Sequence, residues 1–242
     1  MRIRSLSILI IKNMEQEHKL QHIGIIMDGN RRWAVDHHLP KMLGHTEGAK
    51  NLKRIAKFIL NQNIPYLTLY TLSTENLKRS EEELKHLFSL FEKLTDYIKD
   101  LLKNDTRLNI IGDLTRLPIK TQKKLKGVME KTKNNSALIL TLAIAYGGRD
   151  EIVRAVKKIT SQNLPPEKIT EEYFESCLDT TGLPEVDLVI RTGGNQRLSN
   201  FLPWQTTYAE LYFTNTYWPA FYEEELKNII DWFFEQKRNK GK

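Results

Sequence analysis

Cysteine is almost missing from this chain. Cys177 stands alone among 242 residues, so no disulfide framework can form within it, and a reducing compartment fits. The simplest role for that cysteine is a small buried hydrophobe. No run approaches the roughly 20 apolar residues needed to span a bilayer. The Leu6–Ile11 patch behind two arginines is too short for a secretory leader and lacks a small-residue cleavage site. Residues 1–20 read as a mobile tail, with Met14 as an alternative start, and 21–242 as one folded domain. There is no GxGxxG, no Walker lysine motif, no CxxC pair, no HExxH and no internal repeat. Positive charge is plentiful: 37 Lys and Arg against 30 Asp and Glu, formally +7. That balance favours anionic partners such as phosphates, nucleic acid or an anionic membrane surface. Nucleic acid is set aside, because an aromatic-interleaved basic strand or a reader motif is missing. The expected location is cytoplasmic, with at most peripheral contact at the inner face of a membrane.

Short apolar runs recur along the chain at 23–27, 66–72, 107–111, 137–145, 186–190 and 210–213, the composition of buried strands. Helical periodicity lies between them. One helix follows Thr46 as its cap and runs to Asn61. The next starts at Ser80, with Glu83 three residues on as a capping box. Its stripe Leu84, Leu87, Phe88, Phe91, Leu94, Ile98, Leu101 and Leu102, widened by Leu90, is core packing with room to line an apolar cavity. Further helices follow Pro118, span Ile152–Ile159 and Tyr173–Leu178, and close the chain at Tyr222–Phe233. This alternation predicts a single α/β domain: a central, mostly parallel six-stranded sheet flanked by helices. Ligands of such sheets bind beyond the carboxyl ends of the strands, where Asp28, Asn76, Arg149 and Arg191 can converge.

Four polar clusters sit at strand ends. The first is Asp28-Gly29-Asn30-Arg31-Arg32-Trp33, then a polar link to Gly44-His45. A carboxylate, a glycine and two guanidiniums suit a metal-bound phosphate. Taken alone, Asp28-Gly29-Asn30 reads equally as a solvated turn, and His45, placed just ahead of a helix, as a loop residue. The second is Ser73-Thr74-Glu75-Asn76 with Arg79, either a polar head-group site or a helix cap beside a surface arginine. The third is Arg191-Thr192-Gly193-Gly194 with Arg197 and Ser199. Two arginines around a double glycine form a diphosphate clamp, and an arginine directly after a buried strand needs a partner. In the fourth, Trp204–Phe213, Glu210 sits among aromatics and is either paired with an arginine or bound to a cation.

Together the stretches HIGIIMDGNRRWA (22–34), GHTEGA (44–49), LTLYTLSTEN (67–76) with Arg79, IIGD (110–113), AYGGR (145–149), DLVIRTGG (187–194), RLSNFLPWQ (197–205) and YAELYFT (208–214) resemble the cis-prenyltransferases, the undecaprenyl diphosphate synthase family. The resemblance implies a homodimer with a hydrophobic tunnel. It also implies Mg2+-dependent condensation of isopentenyl diphosphate with an allylic diphosphate such as farnesyl diphosphate. The product would be a cis-polyprenyl diphosphate, the carrier-lipid precursor undecaprenyl diphosphate. By the family pattern Asp28 is catalytic and metal-associated, and Glu210 is the second metal-associated carboxylate. Gly29, Asn30, Arg31, Arg32, Lys41 and His45 fall where the allylic diphosphate is held, with Trp33 beside them. Ser73, Thr74, Glu75, Asn76, Leu77 and Arg79 match the substrate loop, with Asn76 a partner in proton removal. Arg191, Arg197, Leu198 and Ser199 match the isopentenyl diphosphate clamp. Five positions depart from the pattern: Lys41 for arginine, Leu77 for tryptophan, Arg31 for glycine, and Asn195-Gln196 for Glu-His, which puts a metal role there in doubt. A non-catalytic partner subunit is the alternative, although such subunits lose the aspartate and binding residues present here. The tunnel wall is expected on the 84–102 stripe, with Leu87, Leu90 and Phe91 facing inward.

Overall fold

A computed structural model describes residues 19–238. Residues 1–18, most of the expected tail, lie outside the described residues. Leu20, which the sequence reading puts in that tail, is 4% exposed and packs in the core. The strands are β1 (His22–Ile26), β2 (Tyr66–Ser73), β3 (Thr106–Ile111), β4 (Leu138–Tyr146), β5 (Leu188–Arg191) and β6 (Glu210–Phe213). They form one six-stranded sheet in the order β3-β4-β2-β1-β5-β6, and every neighbouring pair is parallel. A sheet covered on both faces selects apolar residues at successive positions. Thus Ile25 and Ile190 enter the main core, while Ile26 and Val189 enter a second cluster with Phe201 and Leu202 on the other face.

The helices are α1 (Asn30–Asp36), α2 (Lys41–Asn61), α3 (Glu81–Glu92), α4 (Ile98–Lys103), α5 (Ile119–Thr132), α6 (Gly148–Thr160), α7 (Glu171–Glu175) and α8 (Glu223–Glu235). Several differ from the sequence expectation. Where a turn and a polar link are expected, α1 forms. Gly29 takes φ 103°, a left-handed turn out of β1, and its carbonyl accepts the Trp33 N–H at 2.9 Å. Only Ala34 of α1 is buried, so the helix has no apolar period to read. Helix α2 begins at Lys41 after Pro40, not after Thr46, and His45 is therefore inside it. The 84–102 stripe is interrupted by a 3-10 turn at Lys93–Tyr97, and Leu102 is 46% exposed. In α6, Val153 and Val156 face outward, while Glu151 is turned inward and held by the Tyr146 hydroxyl (2.6 Å), Gln205 (3.1 Å) and the Asp179 N–H (2.9 Å).

Register decides what meets at the rim. Ile26 pairs with Tyr70 on one side and Arg191 on the other. Asp28, Ser73 and Arg191 consequently gather at the carboxyl edge. Glu210 pairs with Leu188, which pairs with Ile23, so it starts β6 at the amino end of the sheet.

Helices α1 and α2 approach closely because two glycines of α2 face α1. A Cβ on Gly44 would lie 1.9 Å from the Asn30 carbonyl oxygen, and one on Gly48 would lie 2.1 Å from Asn30 Oδ1 and 2.9 Å from Trp218. Gly127, inside α5, meets nothing within 4 Å. Gly44→Ala is therefore expected to lower the melting temperature and disturb the α1 corner, because backbone must move to admit the methyl. Gly127→Ala is expected to stabilise by about 0.5–1 kcal/mol through helix propensity alone. Chemical denaturation of the two variants beside wild type checks both signs.

Candidate active site

Asp28 is the centre of the rim. Its Oδ1 accepts the Gly29 N–H (2.7 Å) and Arg32 (3.0 Å), and its Oδ2 accepts Arg191 (2.9 Å) and Asn195 (2.8 Å). Burial pushes the carboxyl up. The hydrogen bonds from Arg191 and Asn195 and the charges of Arg191 and Arg32 outweigh it, so Asp28 titrates below the usual carboxylate range. Arg191 has a side chain only 5% exposed. Besides Asp28 it donates to Ser199 Oγ (2.7 Å) and to the Arg197 carbonyl, and its Nε has no partner. The partner that a post-strand arginine requires is therefore Asp28.

The Arg191–Gly194 turn is wrapped around Asp28. Thr192 Oγ1 donates to the Asp28 carbonyl at 2.7 Å, and Arg32 donates to the Gly193 carbonyl at 2.7 Å. Gly193 has φ 83°, and a Cβ there would lie 2.7 Å from Arg32 and 3.1 Å from the Asp28 backbone. Here glycine serves close approach as well as conformation.

Two polar clefts open from this rim. One, of about 430 Å³, is lined by Gly29, Asn30, Arg31, Arg32, Lys41, His45 and Arg79 among others. The second, about 540 Å³, includes Asp28, Ser73, Glu75, Asn76, Arg79, Arg191 and Ser199. An apolar cavity of about 290 Å³ lies between α2 and α3, walled by Leu52, Leu87, Leu90, Phe91, Leu142 and Trp218. Met27, Asn30 and His45 line all three spaces, so polar and apolar compartments meet there. Leu87, Leu90 and Phe91 thus occupy the wall the sequence assigns them. The structure shows a cavity at that place, not a tunnel.

Arginine and lysine outnumber carboxylates around the clefts, but one carboxylate is turned toward the cations. Glu83 Oε1 accepts Arg79 at 2.9 Å and His45 Nε2 at 3.1 Å, and Arg31 lies 3.7 Å from Oε2. The backbone half of the expected capping box is present, with the Glu83 N–H on Ser80 Oγ at 3.4 Å. The Glu83 side chain goes instead to His45 and Arg79. Burial pushes His45 below the ordinary histidine range, with Arg79 adding to the effect and Glu83 opposing it.

Sequence reasoning missed Asn200. Its Nδ2 donates to Glu75 (3.0 Å), its Oδ1 accepts the Arg149 N–H (2.9 Å) and its carbonyl accepts the Gly148 N–H (2.8 Å), tying together the ends of β2, β4 and the clamp loop. Its φ of 67° beside Ser199 at 49° is the tightest local signal, and the sequence does not display it. Tyr70, lining the second cleft, was also read only as a strand residue; its hydroxyl lies 3.3 Å from the Ser199 carbonyl.

Other expected site residues lie elsewhere. Trp33 stacks on His37 with ring centres 4.2 Å apart. Leu77 and Leu198 pack against the two apolar clusters. Thr74 donates to Glu75 at 3.1 Å, and Arg197, exposed, donates to Asn195 at 3.1 Å. Glu210 is not brought to Asp28 within the chain: the register separates them by roughly 15 Å along the strands, and Glu210 has Arg238 at 3.9 Å. Among the described residues no group of three or more His, Cys, Asp or Glu side chains could hold a metal. The donor set at Asp28 nevertheless fits a hard cation that arrives with ligand oxygens, because Mg2+ is commonly held by one or two carboxylates plus substrate phosphates. No helix among the described residues is long and apolar enough to cross a membrane.

The family described as "Putative undecaprenyl diphosphate synthase" matches residues 26–241. An isoprenyl transferase of Treponema denticola is 46% identical over 224 residues, covering 92% of this chain and 98% of the relative. One of Bacillus cereus is 41% identical over 237 residues, covering 96% and 92%. Among solved structures, lavandulyl diphosphate synthase from Lavandula x intermedia in complex with dimethylallyl diphosphate superposes with a TM-score of 0.89 at 35% identity, covering 92% of this chain and 98% of that one. A "probable undecaprenyl diphosphate synthase" from Campylobacter jejuni gives 0.78 at 38% identity, covering 93% and 99%.

The Asp28 network has a measurable consequence. Asp28→Asn keeps the shape but leaves Arg191 buried without its counter-charge, a loss of about 1–3 kcal/mol given that Asp28 is itself partly exposed. Because the folded-state pKa is lowered, this stabilisation is complete above the ordinary value of 3.8 and is lost as pH falls through the lowered value. The stability gap between wild type and variant should therefore be flat from pH 7 to 5 and narrow only below about pH 4. Urea titrations across that range measure it.

Proposed function

The chain is a prenyltransferase of the undecaprenyl diphosphate synthase family, and we propose that it condenses isopentenyl diphosphate with an allylic diphosphate to give a cis-polyprenyl diphosphate. The observation that carries this reading is the junction at Met27, Asn30 and His45, where two polar clefts, the first of them rich in Arg and Lys, meet one apolar cavity. An allylic diphosphate has a multiply charged head and a greasy tail, and this junction suits that division.

In this reading the first cleft holds the allylic head group: Arg31, Arg32, Arg79 and Lys41 supply charge, and His45 supplies a neutral donor. Arginines hold phosphate oxygens in pairs, whereas Lys41 acts as a point charge. The second cleft holds isopentenyl diphosphate on Arg191 and Ser199, with Arg197 carried on the same loop outside the cleft lining. This places the terminal isopentenyl carbon toward the allylic C1. The new C–C bond forms as the C1–O bond breaks and pyrophosphate leaves, and a proton is lost beside Asn76. Positive groups already aligned on the leaving oxygens lower that barrier without reorganising. Asp28 is the residue that would hold Mg2+ arriving with the diphosphate, and the ion would supply charge neutralisation for the leaving group. The growing chain enters the cavity lined by Leu87, Leu90 and Phe91. At about 290 Å³ the cavity is at the small end for ligand sites, so a chain as long as undecaprenyl requires it to lengthen into a tunnel. A homodimer in the cytoplasm, meeting the membrane only peripherally to hand on a carrier-lipid precursor, completes the proposal.

Retention of Asp28, Asn76, Arg191, Arg197 and Ser199 favours an active enzyme over a non-catalytic partner subunit. Incubation with isopentenyl diphosphate, farnesyl diphosphate and Mg2+ should yield longer polyprenyl diphosphates, resolved by chromatography against length standards. EDTA should stop extension, and Asp28→Ala should abolish it while the circular dichroism spectrum stays unchanged. Full turnover by Asp28→Ala would refute the mechanism.

A further inference from the structure

Glu83 does not line either polar cleft, yet it touches three residues that line the first. We infer that Glu83 is a positioning residue, the counter-charge that holds Arg79 and His45 in the cleft wall with donors ready for the allylic diphosphate. The inference rests on the reading of that cleft given above.

Three observations carry it. First, Glu83 differs from its neighbours in the first turn of α3. Glu81 and Glu82 are exposed, and Glu81 pairs with Lys85 at 2.7 Å, as carboxylates near a helix N-terminus commonly do. The Glu83 side chain is only 14% exposed and turns away from solvent. A role confined to the helix dipole does not require burial. Second, one oxygen, Oε1, accepts from both Arg79 and His45. A carboxylate only accepts, so Nε2 of His45 carries the proton and the ring orientation is set. Third, Arg79 is partly buried near like charge. Burial and the nearby Arg31 both act to lower its pKa, and Glu83 and Asp28 oppose them. Without Glu83, Arg79 has an exposed rotamer as its alternative, and long cationic side chains readily take such rotamers when unpaired. A site preorganised by a carboxylate behind it spends less of its binding energy on ordering side chains.

The test uses inorganic pyrophosphate as the probe, so that binding is read without turnover. Glu83→Gln keeps the shape and removes the charge. Calorimetry should show pyrophosphate binding weakened by about 10-fold or more, the scale of a lost charge-assisted hydrogen bond. The KM for the allylic primer should rise by a similar factor, and the KM for isopentenyl diphosphate should stay near wild type. Glu82→Gln, on the exposed face of the same turn, should change neither. In an Arg79→Ala background, adding Glu83→Gln should cost much less than it does alone, because Glu83 acts largely through Arg79. Glu83→Asp, which keeps the charge but shortens its reach, should fall between wild type and Glu83→Gln, and it serves if the glutamine variant folds poorly. Wild-type or tighter pyrophosphate binding by Glu83→Gln, or full additivity with Arg79→Ala, overturns the inference. Failure of the wild-type chain to extend a primer while it still binds pyrophosphate would instead sink the proposed function and leave this test readable.

Discussion

A guanidinium that emerges from the middle of a parallel sheet cannot remain there unpaired, and the site grows from that constraint. Arg191 ends β5 with a side chain 5% exposed, and the carboxylate that meets it comes from the adjacent strand two residues beyond β1. The Asp28–Arg191 pair depends on β1 and β5 being parallel neighbours in one register. A slip of a single residue would turn both side chains to opposite faces. Once the pair is made, Asp28 has oxygen sites left for Gly29, Arg32 and Asn195, and Arg191 has a hydrogen left for Ser199. The two loops that form the clefts are joined through one carboxylate.

The same economy of counter-charge recurs nearby. A site for diphosphates must concentrate positive charge before the ligand arrives, and like charges at close range destabilise the empty protein. Asp28 answers this for Arg191 and Arg32, and Glu83 answers it for Arg79 and Arg31. Lys41 is exposed, so water screens it. Arg154 has the same arrangement away from the clefts, with Asp150 and Asp179 at 2.9 and 2.6 Å, where it fixes α6 to the loop before β5.

The strands were legible because a sheet covered on both faces imposes apolar runs, and each of the six appears within a few residues of its expected place. The convergence of Asp28, Asn76 and Arg191 was legible because parallel connectivity puts all carboxyl ends on one rim; Arg149, expected with them, is exposed and lines neither cleft. What escaped was set by contacts between distant segments. Helix α1 is specified by the turn at Gly29 and by the space that Gly44 and Gly48 leave for Asn30, not by a pattern of its own. The early start of α2 follows from Pro40, whose fixed φ suits the residue before a helix. Glu151 faces inward because Tyr146 and Gln205 wait for it from other elements, so the buried face of α6 runs through Gly148, Glu151, Ala155 and Ile159 and leaves Val153 and Val156 outside. Glu83 fitted a capping box perfectly well in sequence; only the fold reveals that His45 and Arg79 compete for its carboxylate. Glu210 shows the converse: as the first residue of the 210–213 run it starts β6 at the amino end of the sheet, opposite the rim that holds Asp28.

Gly44 and Gly48 also explain how charged and apolar surfaces lie side by side. A polar cleft and an apolar cavity are ordinarily kept apart by a layer of side chains, because bare backbone polar groups are costly to bury. Gly44 and Gly48 bring α2 against Asn30, so Asn30 and His45 line the clefts while Leu52, on the same helix as His45, lines the cavity. Side chains in place of those glycines would push α1 away from α2 and move Asn30, Arg31 and Arg32 together, since they share one short helix. The spacing between charge and hydrocarbon is thus set by helix packing, before any residue of the clefts touches a ligand.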